Sequence, residues 1–203
     1  MNFFLSAGSI IGLLLIVLVV VAFVRAIQIV PQPRALVVER LGKFHSVMYG
    51  GLHVLVPFID RIAARVDLRE QVTSFPPQPV ITADNVVVSI DSVIYYQVTD
   101  PMYATYEIAN FIQAIEQLTV TTLRNVIGSL DLEATLTGRD SINTQLRGVL
   151  DEATGRWGIR VNRVELKAID PPPSIQHAME QQLRAERDKR AAILTAQGVR
   201  ESQ

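Results

Sequence analysis

The first 24 residues of this 203-residue chain carry no charged side chain. From Phe3 to Val24 the sequence reads FFLSAGSIIGLLLIVLVVVAFV, 22 residues with nothing more polar than two serines. At about 1.5 Å per residue a helix of that length covers the roughly 30 Å hydrocarbon core of a bilayer. A cleaved secretory signal needs a basic start, an apolar stretch of about 7–15 residues and small residues at the cleavage point. This segment has no Lys or Arg ahead of it and exits through Phe23, Val24 and Arg25. The pattern favours an uncleaved anchor over a signal peptide or a buried core helix, with Phe3, Leu14 and Val24 marking its start, middle and end. Arg25, Arg34, Arg40 and Lys43 follow the anchor. By the positive-inside rule the N-terminus lies outside and the main body in the cytoplasm.

All 19 basic and 20 acidic residues therefore lie beyond Val24. The remainder has the charge content of an ordinary soluble region, and no second long apolar run makes the chain polytopic. The absence of cysteine excludes a disulfide scaffold, thiolate metal sites and thiol catalysis. A net charge of −1 gives no global pull toward nucleic acid.

Pro31 and Pro33 break any helical continuation, so a folded domain starts close to Arg34. Residues 35–42 predict a strand ending at a Gly42 turn, residues 52–58 an apolar strand closed by Pro57, and residues 61–70 a further strand. Phe75-Pro76-Pro77-Gln78-Pro79 cannot sit in a central ladder and reads as a turn or an edge segment. Residues 86–98 alternate cleanly, with Val86, Val88, Ile90, Ile94 and Tyr96 on one face. Two helices follow. One is capped by Asn110 with Phe111, Ile115, Leu118 and Thr122 as its stripe, and the other is built on Ile142, Leu146, Val149, Ala153 and Trp157. A last strand spans 159–169. Strands first, helices next and one more strand make an α+β domain with a mixed sheet.

After Asp170 three prolines form a stiff break, and Ser174 is placed to cap a long polar helix beginning at Ile175. Glu180, Arg184, Glu186, Asp188 and Arg190 make oppositely charged pairs at four-residue spacing. Ala178, Ala185, Ala192 and Val199 recur every seven residues, a narrow seam along which parallel helices could approach. A solvated helix with charged flanks fits the same positions, but a helix polar all round is rarely stable unsupported.

No phosphate-binding loop, dinucleotide fingerprint, metalloprotease helix or nucleophile elbow occurs. His45, His53 and His177 have no ligand-spaced partners, and the clusters at 67–70 and 139–140 read as exposed ion pairs. No catalytic residue, cofactor or metal is implied. One stretch stands out: residues 46–59, SVMYGGLHVLVPFI, are charge-free and too short to span a bilayer. They fit a buried strand, and they fit a segment that dips into a membrane interface. The two readings are compatible if one face packs inward and the Gly50-Gly51 loop touches lipid.

Residues 30–62, Leu68-Arg69-Glu70-Gln71-Val72, residues 81–101, 157–172 and 179–198 together resemble the stomatin-like proteins of the SPFH, or band 7, superfamily, and among them bacterial members most. The resemblance implies three regions: an N-terminal transmembrane anchor over 1–29, an SPFH domain over 30–172 and the start of a coiled-coil helix over 173–203. It implies a non-enzymatic scaffold of the bacterial inner membrane, a homo-oligomeric ring or cage of many copies that organises lipid microdomains and confines client proteins. Tyr49, Gly51, Leu52, Pro57 and Phe58 would lie against the bilayer. A membrane-bound protease, or a membrane protein with an OB-like soluble domain, is the partner implied; nucleic acid is not. The alternative is a regulatory subunit of a membrane protease or respiratory complex without a closed ring.

Overall fold

The computed structural model describes residues 7–201, with side-chain surroundings given from Gly12 onward except at residues 22, 196 and 198–201. The element order is α1 (Ala7–Ala26), β1 (Ile27–Val30), β2 (Arg34–Arg40), β3 (Lys43–Met48), β4 (Gly51–Val54), β5 (Asp60–Asp67), β6 (Gln71–Ile81) and β7 (Val87–Val98). Then come α2 (Pro101–Tyr106), α3 (Phe111–Gly128), α4 (Leu132–Thr137), α5 (Arg139–Gly155), β8 (Ile159–Asp170) and α6 (Pro173–Glu201). Strands, then helices, then a strand confirm the α+β class. The chain divides into two compact units, one holding residues 1–73, 94–116 and 147–163, the other 74–93, 117–146 and 164–203.

The first unit is organised around β2. Its run Ala35-Leu36-Val37-Val38 is buried at every position, because the strand lies between β3 and β5 and is covered on both faces. Both pairings are antiparallel, and each is interrupted by a bulge near Val38. One face contributes Leu36 and Val38 to a core with Val30 and Leu55, against which Met48 and Ile62 pack. Beyond β3, Phe44 meets Tyr106 edge to face with centroids 6.0 Å apart, and the Tyr106 hydroxyl donates to Glu39 at 2.9 Å. Burial and the Glu39 carboxylate push the Tyr106 phenol above its usual range.

The remaining sheet has the order β6-β7-β8. Central β7 shows the expected alternation: Val88, Ile90, Ile94 and Tyr96 are buried, together with Ser92 and Val98. The proline-bearing segment 75–79 is part of β6 at the sheet edge, the place in a sheet where prolines are tolerated. At the other edge, α5 side chains accept from the main chain of β8: Asp151 from Val161 N at 3.1 Å and Asn143 from Leu166 N at 3.1 Å.

In the second unit Asp131 caps α4 by accepting from Ala134 N at 2.7 Å, and Leu132, Ile142, Leu146, Leu123 and Ile127 are buried. Three local expectations are corrected. On α5 the buried stripe continues through Leu150 and Thr154 instead of Val149 and Ala153; Val149 is exposed, and Thr154 can enter the interior because its hydroxyl donates to Ile159 O at 3.0 Å. On α3 the expected Ile115 and Thr122 are buried, but Thr119 and Leu123 join them while Phe111 and Leu118 are only half-buried. The long helix α6 starts at Pro173, where a fixed φ suits the first turn. Pro172 O takes the first bonds, from Ile175 N at 3.0 Å and Gln176 N at 3.1 Å. Ser174 is thus inside the helix and is not its cap.

Gly158 is the joint between α5, β8 and the start of α2. Its φ is +66°, and its carbonyl accepts from Thr99 N at 2.8 Å, Asp100 N at 3.0 Å and Thr99 Oγ1 at 3.0 Å. A β-carbon there would lie 2.5 Å from Asp100 O. Gly158→Ala adds left-handed strain to a backbone clash, and we expect a loss above about 2 kcal/mol. Chemical denaturation checks this; an unchanged midpoint would refute the role given to Gly158.

Candidate membrane-contact surface

An antiparallel ribbon forms where β1 pairs with β4, Ile27 opposite Val54 and Ile29 opposite Leu52. With side chains alternating across a strand, these four share one face. All four are exposed, Leu52 by 70%, while Val30 on the opposite face enters the core. The ribbon follows α1 directly, and Leu55 N donates to Ala26 O at 2.8 Å. Gly50 is required at the turn into β4, since a β-carbon there would stand 2.6 Å from Gln32 Cα. His53 Nε2 donates to Tyr49 O at 2.6 Å, a bond that fastens the loop before β4.

The strand expected over 52–58 ends at Val54, and a tight turn follows. Only Leu55 of this turn is buried; Val56, Phe58 and Ile59 are exposed, Phe58 by 94%. Phe58 has φ +71°, a conformation a bulky residue adopts only when its surroundings impose it. The constraint is Asp60, whose side chain is 1% exposed. One carboxylate oxygen accepts from Arg40 Nε at 2.7 Å, and the other from Arg40 Nη2 at 3.0 Å and Val56 N at 2.8 Å. Asp60 N also donates back to Val56 O at 2.9 Å. The Arg40 guanidinium and then the Val56 N–H hold the Asp60 carboxyl at about 2, below the usual carboxylate range, and the pair raises Arg40.

Of the residues expected against the bilayer, Tyr49, Gly51, Leu52 and Phe58 are exposed and Pro57 is half-buried. Ile27 and Ile29 were missed: IQIV at 27–30 alternates, but it lies between the apolar run and Pro31, ahead of the domain start expected close to Arg34. Phe3 lies outside the described residues. Leu14 and Val24 are exposed on α1, as are the other large apolar side chains described between Leu13 and Val24. Among the described residues no helix is long and apolar enough to cross a membrane, so the described part of α1 falls short of the 22-residue span expected from Phe3 to Val24. Likewise, no group of metal-ligating side chains is found among the described residues.

On α6, Ala178, Ala185 and Ala192 are exposed; the side chain of Val199 lies outside the described residues. Glu180, Arg184 and Asp188 are exposed, and Glu186 pairs with Arg190 at 2.5 Å. The side of α6 facing α4 is a different one, carrying Met179, Leu183 and Glu186 along a cavity of about 430 Å³ with Leu132 and Leu136. At 67–70 the expected surface pair is present, Arg69 to Asp67 at 2.6 Å.

An α+β body with an apolar helix and ribbon on its first unit defines the class, and comparison with known proteins agrees. The SPFH domain / Band 7 family model matches residues 28–200, and the chain belongs to that family. It is 60% identical over 195 residues to an uncharacterised protein of Mycobacterium tuberculosis, covering 96% of this chain and 51% of that one. It is 44% identical to an uncharacterised protein of Methanocaldococcus jannaschii over 92% of this chain and 93% of that protein. It is 41% identical to the human mitochondrial stomatin-like protein 2 over 85% of this chain and 49% of that one. The chain spans about half the length of the mycobacterial relative.

Because the folded value of Asp60 lies below the unfolded value near 3.9, its contribution is present above about pH 4 and is lost as pH falls through about 2. We expect the Asp60 carboxyl carbon to titrate near 2 by NMR. Arg40→Gln should return it toward the ordinary range and shift the Val56 amide. A midpoint near 4 in the unaltered chain would break this account of the turn.

Proposed function

We propose that the chain is a membrane-bound scaffold without catalytic activity of its own, in which many copies assemble into a ring or cage that confines lipid and client proteins. The exposed apolar surface formed by α1, the β1–β4 ribbon and Phe58 carries this reading. Exposed apolar side chains so concentrated on one region mark a lipid or protein contact. The uncharged stretch Phe3–Val24 anchors each copy, with the N-terminus outside and the folded body at the cytoplasmic face of a bacterial inner membrane. The ribbon and turn then rest in the interface. Avidity makes the assembly: one anchor per copy, multiplied around a ring, holds the whole to the bilayer. The exposed alanines of α6 give close approach between neighbouring parallel helices, and Glu180, Arg184 and Asp188 set their register. The clients that fit are membrane-bound proteases.

Two measurements test this. Leu52→Asp with Phe58→Asp should lower vesicle co-flotation of the chain; undiminished flotation would remove the ribbon and turn from the membrane contact. Ala185→Glu with Ala192→Glu should convert a particle of many copies into small species by mass measurement in mild detergent. An unaltered chain already small in detergent would refute the ring.

A further inference from the structure

The stripe of α1 that faces the 55–62 segment borders a cavity of about 690 Å³, a volume within the roughly 300–1,000 Å³ of small-molecule sites. Its walls are apolar along most of their length, with Leu14, Leu18 and Val21 on one side and Val56 and Phe58 on the other. From Leu14 to Arg25 the helix rises about 16 Å. The cavity is therefore an elongated groove, and its far end at Leu14 is apolar. The polar lining is confined to Arg25, Gln28 and Asp60. Asp60 is spent, since Arg40 and Val56 N occupy both carboxylate oxygens. Arg25 is exposed, and the one carboxylate lining the groove with it is that neutralised Asp60. The groove is thus apolar over its length and cationic at one end, with an amide beside the cation. Its outer wall includes Phe58, held out by the turn that Arg40 and Asp60 build.

We propose that this groove seats one acyl chain of an anionic phospholipid, its terminal methyl toward Leu14 and its phosphate at Arg25, with Gln28 donating to the headgroup. The occupant comes from the bilayer itself, because the groove is continuous with the exposed apolar surface of α1 and the ribbon. The proposal rests on the membrane reading above, in which Arg25 stands at the cytoplasmic interface, the level of phospholipid headgroups. It adds a headgroup selectivity that a bare apolar anchor lacks.

The test uses the full chain in vesicles of one fixed mixture of phosphatidylglycerol and phosphatidylcholine, with brominated acyl chains carried either on the anionic lipid or on the zwitterionic one. Phe58→Trp is the reporter, and the unaltered chain with its single Trp157 gives the background. Brominated phosphatidylglycerol should half-quench the reporter at about fivefold lower mole fraction than brominated phosphatidylcholine, the size of one cation acting on an anionic lipid. Arg25→Gln in the reporter chain should abolish that difference and leave flotation intact. Equal quenching by both lipids, or a preference that survives Arg25→Gln, would overturn the groove while leaving the membrane reading standing. Failure of the unaltered chain to float with the vesicles would sink that reading and the groove with it.

Discussion

The Asp60 carboxylate ties three parts of the first unit together. It joins the end of β2 through Arg40, the start of β5 on which it stands, and the turn after β4 through Val56 N. A sealed carboxylate is costly unless its oxygens are paired and hydrogen-bonded, and here both are. The energy of that pairing is offset partly by the backbone conformation of Phe58, which no apolar packing compensates, since the ring is almost wholly exposed. Strain held by a salt bridge whose carboxylate is sealed leaves an aromatic ring presented on the surface.

The same economy governs the strand edges. In the β6-β7-β8 sheet one edge carries Pro76, Pro77 and Pro79, which cannot donate to an incoming strand. On β8 two amides are taken by Asn143 and Asp151 of α5. Both devices discourage strand addition. The β1–β4 ribbon differs in presenting a row of exposed apolar side chains, Ile27, Ile29, Leu52 and Val54. Its contact chemistry is apolar, suited to lipid.

What the sequence made legible followed from local period. β7 was readable because its burial alternates at every second residue, and β8 because Ile159 to Ile169 is bounded by Gly158 and prolines. The α3 and α5 helices were readable as helices, but their faces were less so. Val149 and Leu150 are equally apolar, and only the tertiary partner decides which one turns inward. Thr154 hides in the interior because its hydroxyl returns to the Ile159 carbonyl, a possibility no hydropathy pattern encodes. The ribbon was half legible: the 46–59 stretch was marked by its lack of charge, whereas four-residue β1 was hidden between a long apolar helix and Pro31. Arg40 and Asp60 carried no signal, since residues twenty apart meet only once β2 and β5 have paired.

The long helix α6 poses the opposite problem, too little apolar surface instead of too much. Near its start Met179 and Leu183 border a cavity shared with Leu132 and Leu136 of α4, all in the second unit. From Gln181 to Thr195 every residue is exposed. An exposed pair such as Glu186 with Arg190 adds only about 0.2–0.5 kcal/mol, and helical stability in proteins comes mainly from tertiary packing. A 29-residue helix with such meagre support within its own chain is the element whose stability the proposed packing of identical copies addresses. The alanine side points away from the side that carries Met179 and Leu183, so the proposed packing of copies leaves the α4 side free. In the proposed assembly the root of the helix borders α4, and the exposed stretch beyond it is the part left for neighbouring copies to cover.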